Sequence, residues 1–275
     1  MSELSVTLID VGWGDSILLE ATDAAGGSHY GLIDSNDTST LRSSHIFLKR
    51  FFERKGEKIP TSQPLFDWVL LSHAHADHGQ GLKRILQDFG TLSFWYPKSE
   101  SRAAFFTDLI RYAGKSSRVE HHQSIDTTKS LPDFGGCPMQ VLWPKYGVMD
   151  DNENNNSVVL VLTLGAYSFV LAGDAEIEVW RQIAGQLPAR PLIFKVPHHG
   201  SHNGTIDTGG VTPWLSHCGA GSKVAVSSHI RPFEHPDADV VAALDASGVP
   251  WYRTDRHYHI NFSTNGKQVH VKYSH

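Results

Sequence analysis

Four side chains of metal-ligand type fall within six residues in His73-Ala74-His75-Ala76-Asp77-His78. On an extended or turning backbone His73 and His75 point the same way, while Asp77 and His78 reach a neighbouring point. Imidazole nitrogen and carboxylate oxygen together suit Zn²⁺ or Mn²⁺, with water in the positions the protein leaves open. The competing reading is a surface loop that happens to be rich in histidine. So particular a spacing speaks against it.

The surrounding elements explain how such a run would be held. Residues 68–72 are short and largely apolar, which suits a buried strand. Residues 73–81 leave it as a loop, and 82–89 read as a helix. Upstream, 5–10 and 16–20 read as antiparallel strands around Gly12-Trp13-Gly14, with a third strand at 30–34. Residues 41–55 carry apolar side chains near helical spacing and stop at Gly56. A strand at 92–96 and a helix at 103–113 follow. The second half repeats this logic, with strands at 139–144, 157–164 and 167–171 and a helix at 174–183. Short buried strands at 192–196 and 223–227 and a helix at 238–246 come next. Residues 251–254, 258–262 and 268–272 are expected to form a terminal meander.

A chain of 275 residues can bury one large core, and the motifs run nearly end to end, so a single domain over 1–275 is expected. No apolar run approaches the roughly 18 residues of a membrane span, and Met1-Ser2-Glu3-Leu4 lacks the character of a signal peptide. A cytoplasmic protein is the expectation. Cys137 and Cys218 are too few and too scattered for a disulfide framework and read as free thiols. The formal charge of −5 gives no global attraction to nucleic acid. A polyanion would have to be met by a local patch or by the metals.

His73-x-His75-x-Asp77-His78 resembles the signature of hydrolases of the metallo-β-lactamase fold. Three further stretches resemble the soluble hydrolase domain of ComEC-type competence proteins. They are Asp10-Val11-Gly12-Trp13-Gly14-Asp15-Ser16, Asn156-Ser157-Val158-Val159-Leu160 through Gly173-Asp174, and Lys195-Val196-Pro197-His198-His199-Gly200-Ser201. Ser227-Ser228, His235-Pro236 and Arg253-Thr254-Asp255 match more weakly. The resemblance implies an α/β fold of four layers, an αβ/βα sandwich with its active site along one edge of the two sheets. It also implies two divalent metal ions, Zn or Mn. His73 and His75 would bind the first, Asp77 and His78 the second, and Asp174 would bridge both, unless it only caps the helix after Gly173. Either His198 or His199 would close the second site, and His198 is the expected ligand. Most members carry another histidine before the bridging aspartate. Asn156 stands about there, as in the ComEC-type pattern, which leaves the first site weaker. Where Trp13 stands the family usually has glutamine; a stacking surface and a packed aromatic are both open.

Two metals roughly 3.5–4 Å apart lower the pKa of a shared water and clamp the attacking and leaving oxygens. Asp77 or Asp174 would orient that hydroxide. The resemblance favours a phosphodiesterase or nuclease, with Lys195 as a phosphate contact and His235 as general acid or phosphate contact. Asp15 reads as a turn cap or a residue of the site, and Asp34 as a support behind the metal histidines or a plain turn aspartate. Lys83, Arg84, Arg102, Arg111, Lys115 and Arg118 are interleaved with Phe94, Trp95, Tyr96, Phe105 and Phe106. They would hold a single strand or small nucleotide, or form only a solvated helix face. Two rivals stand. One is a lactonase or thioesterase, since the fold does not choose the substrate; the other is a metal-retaining binding protein, against which Asp77, His78 and Asp174 argue. An iron redox enzyme would more often show an acidic residue in place of His75. The expected partner is a phosphodiester, either nucleic acid or a cyclic nucleotide, with a separate protein partner left unnamed. His121-His122 reads as an exposed loop pair, and His257, His259, His270 and His275 as surface residues.

Overall fold

A computed structural model describes residues 2–59 and 63–273, so His275 lies outside the described residues. The first half contains strands β1 (Glu3–Leu8), β2 (Ile17–Thr22), β3 (Ser28–Ile33), β4 (Phe66–Leu70), β5 (Thr91–Tyr96) and β6 (Val119–Ser124), with helices α1 (Ser43–Lys55), α2 (Ala76–Gly79), α3 (Leu82–Asp88) and α4 (Ala104–Ala113). The second half contains β7 (Met139–Trp143), β8 (Val159–Leu164), β9 (Tyr167–Leu171), α5 (Ile177–Ile183), β10 (Leu192–Lys195), α6 (His202–Thr205) and β11 (Lys223–Val226). It ends in α7 (Ala238–Ser247), β12 (Trp251–Arg253), α8 (Thr254–His257), β13 (Ile260–Thr264) and β14 (Val269–Tyr273).

These strands build two sheets, ordered β14-β13-β1-β2-β3-β4-β5-β6 and β12-β11-β10-β9-β8-β7. In each, an antiparallel part gives way to a parallel part, β3 to β6 and β9 to β12. Parallel strands need crossovers, and the helices supply them on the outer faces. Side chains alternate along β4 accordingly. Trp68 and Leu70 face the other sheet, among Leu19, Leu160, Phe169 and Ile193. Val69 and the following Leu71 face outward onto Leu48 and Phe52 of α1 and Ile85 of α3. On the far side, Val179 and Trp180 of α5 and Val240 of α7 cover Val170, Phe194 and Val224. One apolar layer between the sheets and one outside each make a four-layer αβ/βα sandwich.

The structure departs from the sequence expectations in three places. β12 pairs in parallel with β11 (Ala225 opposite Tyr252), so the chain changes sheet at α8 and no meander forms. Helix α5 starts at Ile177, which leaves Asp174 ahead of it and not its cap. Strand β6 is an exposed, polar edge, Val-Glu-His-His-Gln-Ser, so His121 and His122 lie on a strand and not in a loop. Polar edges like this discourage pairing with other chains. Cys137 and Cys218 are free and buried. No described helix is long and apolar enough to cross a membrane.

Candidate metal centre

The carboxyl ends of β3, β4, β9, β10 and β11 meet at one edge, and the clustered side chains follow those ends. Asp34, just past β3, sits in the left-handed region at φ 60°. Its carboxylate accepts the Ser72 amide at 2.7 Å and the Ser72 hydroxyl at 2.6 Å. It also accepts His78 Nδ1 at 2.7 Å, which turns the His78 Nε2 lone pair toward the cluster. Ser72 Oγ lies 3.1 Å from His73 Nδ1, so one carboxylate aims two imidazoles. The short helix α2 brings His78 back under His75, whose carbonyl accepts the His78 and Gly79 amides at 3.2 and 3.1 Å. Gly14 closes the edge from the β1–β2 turn. A Cβ there would lie 2.2 Å from the Asp77 carbonyl oxygen, and its φ of +96° favours glycine as well.

The other half supplies Asp174 and His199. Asp174 follows Gly173, and its amide donates to Ser157 Oγ at 2.9 Å. His198 and His199 both take positive φ, 48° and 53°, a conformation that costs non-glycine residues about 1–2 kcal/mol each. Strain of this kind persists where surroundings enforce it, often at functional sites. It turns His199 into the cluster, fully buried, with Nδ1 donating to the Ser227 carbonyl at 3.0 Å.

Four donor atoms then converge. His78 Nε2 and His199 Nε2 are 3.3 Å apart. Asp174 Oδ2 lies 3.2 and 3.3 Å from them, and Asp77 Oδ2 lies 3.8 and 3.7 Å. A tetrahedral ion about 2.1 Å from each donor would space them about 3.4 Å apart. The set fits a divalent ion. Across Asp174 Oδ2, His73 Nε2 lies at 4.0 Å and itself stands 3.0 Å from His75 Nδ1. His75 stands at the mouth of a cavity of about 340 Å³ lined also by Glu100, Asp150, Asp151 and Glu153.

Charge makes the same demand. Asp15 and Asp174 lie 2.5 and 3.5 Å from the Lys195 ammonium, and Asp34 and Asp77 lie 2.7 and 3.8 Å from His78. Burial disfavours protonated His199, yet Asp174, Asp77 and Asp15 outweigh it and raise the imidazole to about 9. Burial opposes protonation of His78 too, but Asp174, Asp77 and Asp34 push it well above its ordinary value. Protons there stand where divalent cations would offset the same carboxylates. His73, desolvated and beside His78, moves the other way.

Of the residues expected here, His73, His75, Asp77, His78 and Asp174 come together. His198 does not. Its Nδ1 lies 3.1 Å from Glu176 Oε1 with the side chain 22% exposed, and its neighbour occupies the cluster. Lys195, expected to meet phosphate, is buried; its Nζ lies 2.5 Å from Asp15 and 2.9 Å from the Gly173 carbonyl oxygen. It steadies the loop of Asp174 and cannot reach a substrate. Asp15 is thus its counter-ion rather than a turn cap, a role no local sequence pattern signals. Asn156 accepts the Asp150 amide at 2.8 Å and donates to the Asp150 carbonyl at 3.0 Å, closing its own loop. His235 stands at the rim, its Nδ1 2.8 Å from Asp237 Oδ1. The basic stretch is mostly elsewhere. Helix α4 runs from the metal edge toward the opposite end of β5 and β6, carrying Arg111, Lys115 and Arg118 away. Arg118 donates to the carbonyls of Gln63 and Asp88, and Arg111 pairs with Asp108 at 3.6 Å.

Asp34→Asn removes the charge that aims His78 and, through Ser72, His73. Zinc affinity should fall about 10- to 100-fold in competition with a chelating dye. A change under twofold would reduce Asp34 to a backbone cap.

Layered sheets with a histidine–aspartate edge of this kind define the metallo-β-lactamase fold. The chain is similar to a long-form RNase Z from yeast, at TM-score 0.50 and 12% identity, over 91% of this chain and 40% of that one. It is also similar to Tm1679, a metal-dependent hydrolase of the β-lactamase superfamily, at TM-score 0.49 and 14% identity, over 92% and 96% of the two chains. In sequence it resembles ComE operon protein 3 of Bacillus subtilis (strain 168), 26% identical over 271 residues, which are 95% of this chain and 33% of that protein. It also resembles the uncharacterized protein YcaI of Escherichia coli (strain K12), 26% identical over 205 residues, 73% of this chain and 24% of that protein. The chain therefore spans a third or less of the length of these curated relatives. The ComEC-type resemblance fits them. No protein-family profile matches the chain.

Proposed function

We propose that this chain, as one domain, is a binuclear metal-dependent hydrolase that cleaves phosphodiesters, a phosphodiesterase or nuclease. The observation that carries the reading is the convergence of Asp77, His78 and His199, and of His73, His78 and Asp174, at ligand spacing, with His75 beside His73. Two divalent ions would supply an activated water and positive charge on the phosphoryl oxygens. The protein's own part is positioning. Lys195 and Ser157 hold the Asp174 segment, and Asp34 aims His78. Asp77, at 25% exposure the most open of the clustered carboxylates, faces the water that attacks. His235, tied through Nδ1 to Asp237, can pass a proton from Nε2 to the leaving oxygen only as the imidazolium, a form that burial disfavours.

RNase Z, by its name a ribonuclease, accords with this substrate class. The acidic cavity beside His75 favours a short substrate over a long polyanion on that side. A small-molecule hydrolase is the second reading. Protein reconstituted with Zn²⁺ or Mn²⁺ should hold about two ions per chain and cleave bis(p-nitrophenyl) phosphate. Cleavage of lactones or thioesters without any diester would overturn the proposal. Absence of bound metal would overturn both readings.

A further inference from the structure

Beyond His199 the site continues as a wall of rings. The Trp13 ring lies 4.7 Å from that of His199 and 4.7 Å from that of Phe233, with His235 at 5.6 Å. Phe233 is 60% exposed, and Arg231 is exposed two residues earlier on the same loop. The opposite rim, around the cavity beside His75, carries Glu100, Asp150, Asp151 and Glu153. A diester phosphate held at the metal edge is repelled on that acidic side. Over Trp13 and Phe233 its substituent meets π-faces. An acyl chain would need a continuous apolar channel, whereas the imidazoles of His199 and His235 interrupt the rings here. A flat heteroaromatic ring suits such a wall, because every base has a π-face to stack.

We propose that Trp13 and Phe233 form a base-stacking subsite beside His199, so that the phosphodiester substrate carries a nucleobase; this deepens, and rests on, the phosphodiesterase reading above. Calorimetric titration of the zinc-loaded protein with adenosine 5′-monophosphate and with ribose 5-phosphate separates the base from the phosphate. The nucleotide should bind roughly tenfold or more tightly than its abasic counterpart. In Phe233→Leu and in Trp13→Leu that advantage should shrink to about twofold. Because Phe233 is exposed, its replacement removes a stacking face without opening the core. Equal affinities in the parent, or an advantage that survives both substitutions, overturn the subsite. Turnover of bis(p-nitrophenyl) phosphate is scored separately. Base preference without diester cleavage would refute the hydrolysis and leave the subsite standing, and cleavage without base preference would refute the subsite alone.

Discussion

His199→Ala is expected to lower turnover at least about a thousandfold and to leave about one firmly held ion per chain in place of two. A Lewis-acidic ion is worth several kcal/mol to a hydrolytic transition state, and each 1.4 kcal/mol is about a factor of ten. His199 Nε2 has no role in the structure except to face His78, Asp77 and Asp174 at 3.3–3.7 Å. His198→Ala is the control. That side chain turns outward to Glu176, so metal content should hold and turnover should change only a few-fold. Elemental analysis and single-turnover assays read both quantities. If His198→Ala were the variant that lost its metal, the turn at residues 197–200 would present the other imidazole in solution.

Trp68→Ala should cost about 3–5 kcal/mol of folding stability, the range for removing a large buried aromatic. Trp68 is 2% exposed in the layer between the sheets. It stacks on Trp95 at 5.4 Å and meets the edge of Phe134 at 5.3 Å. Gly31 is shaped to it, since a Cβ there would lie 2.4 Å from the indole. The backbone alongside therefore cannot easily relax into the space left behind. Urea unfolding of zinc-free protein measures the loss without the metal's contribution. A loss below about 1 kcal/mol would mean that the two sheets collapse to fill the cavity.

How much of this was legible beforehand depended on whether a feature was local. The run from His73 to His78 and the apolar strand before it lie within eleven residues, and spacing alone makes them legible. Helix α1 ended at Gly56 as expected, because the left-handed C-cap is a one-residue signal. The partnership of Asp15 with Lys195 spans both halves of the chain, and no periodicity encodes it. The choice between His198 and His199 turned on two positive φ angles, which histidine does not advertise as glycine would. β6 is not legible in the sequence because an exposed edge strand lacks the apolar alternation that marks strands. The basic stretch misled for a topological reason. Residues close in sequence to Arg102 are carried to the far end of the sheet by α4.

The cluster draws Asp34, His73, His75, Asp77 and His78 from one sheet and Asp174 and His199 from the other. An ion seated there is a reversible cross-link between the two sheets, and its strength is set from outside the molecule. By mass action, each tenfold rise in free metal above the dissociation constant adds about 1.4 kcal/mol against separation of the sheets at this edge. On the proposed reading, metal supply would govern how firmly the molecule is closed as well as whether it can react. Without metal, the Lys195 ammonium and protons on His78 and His199 are left to balance the carboxylates, and the cross-link itself is lost.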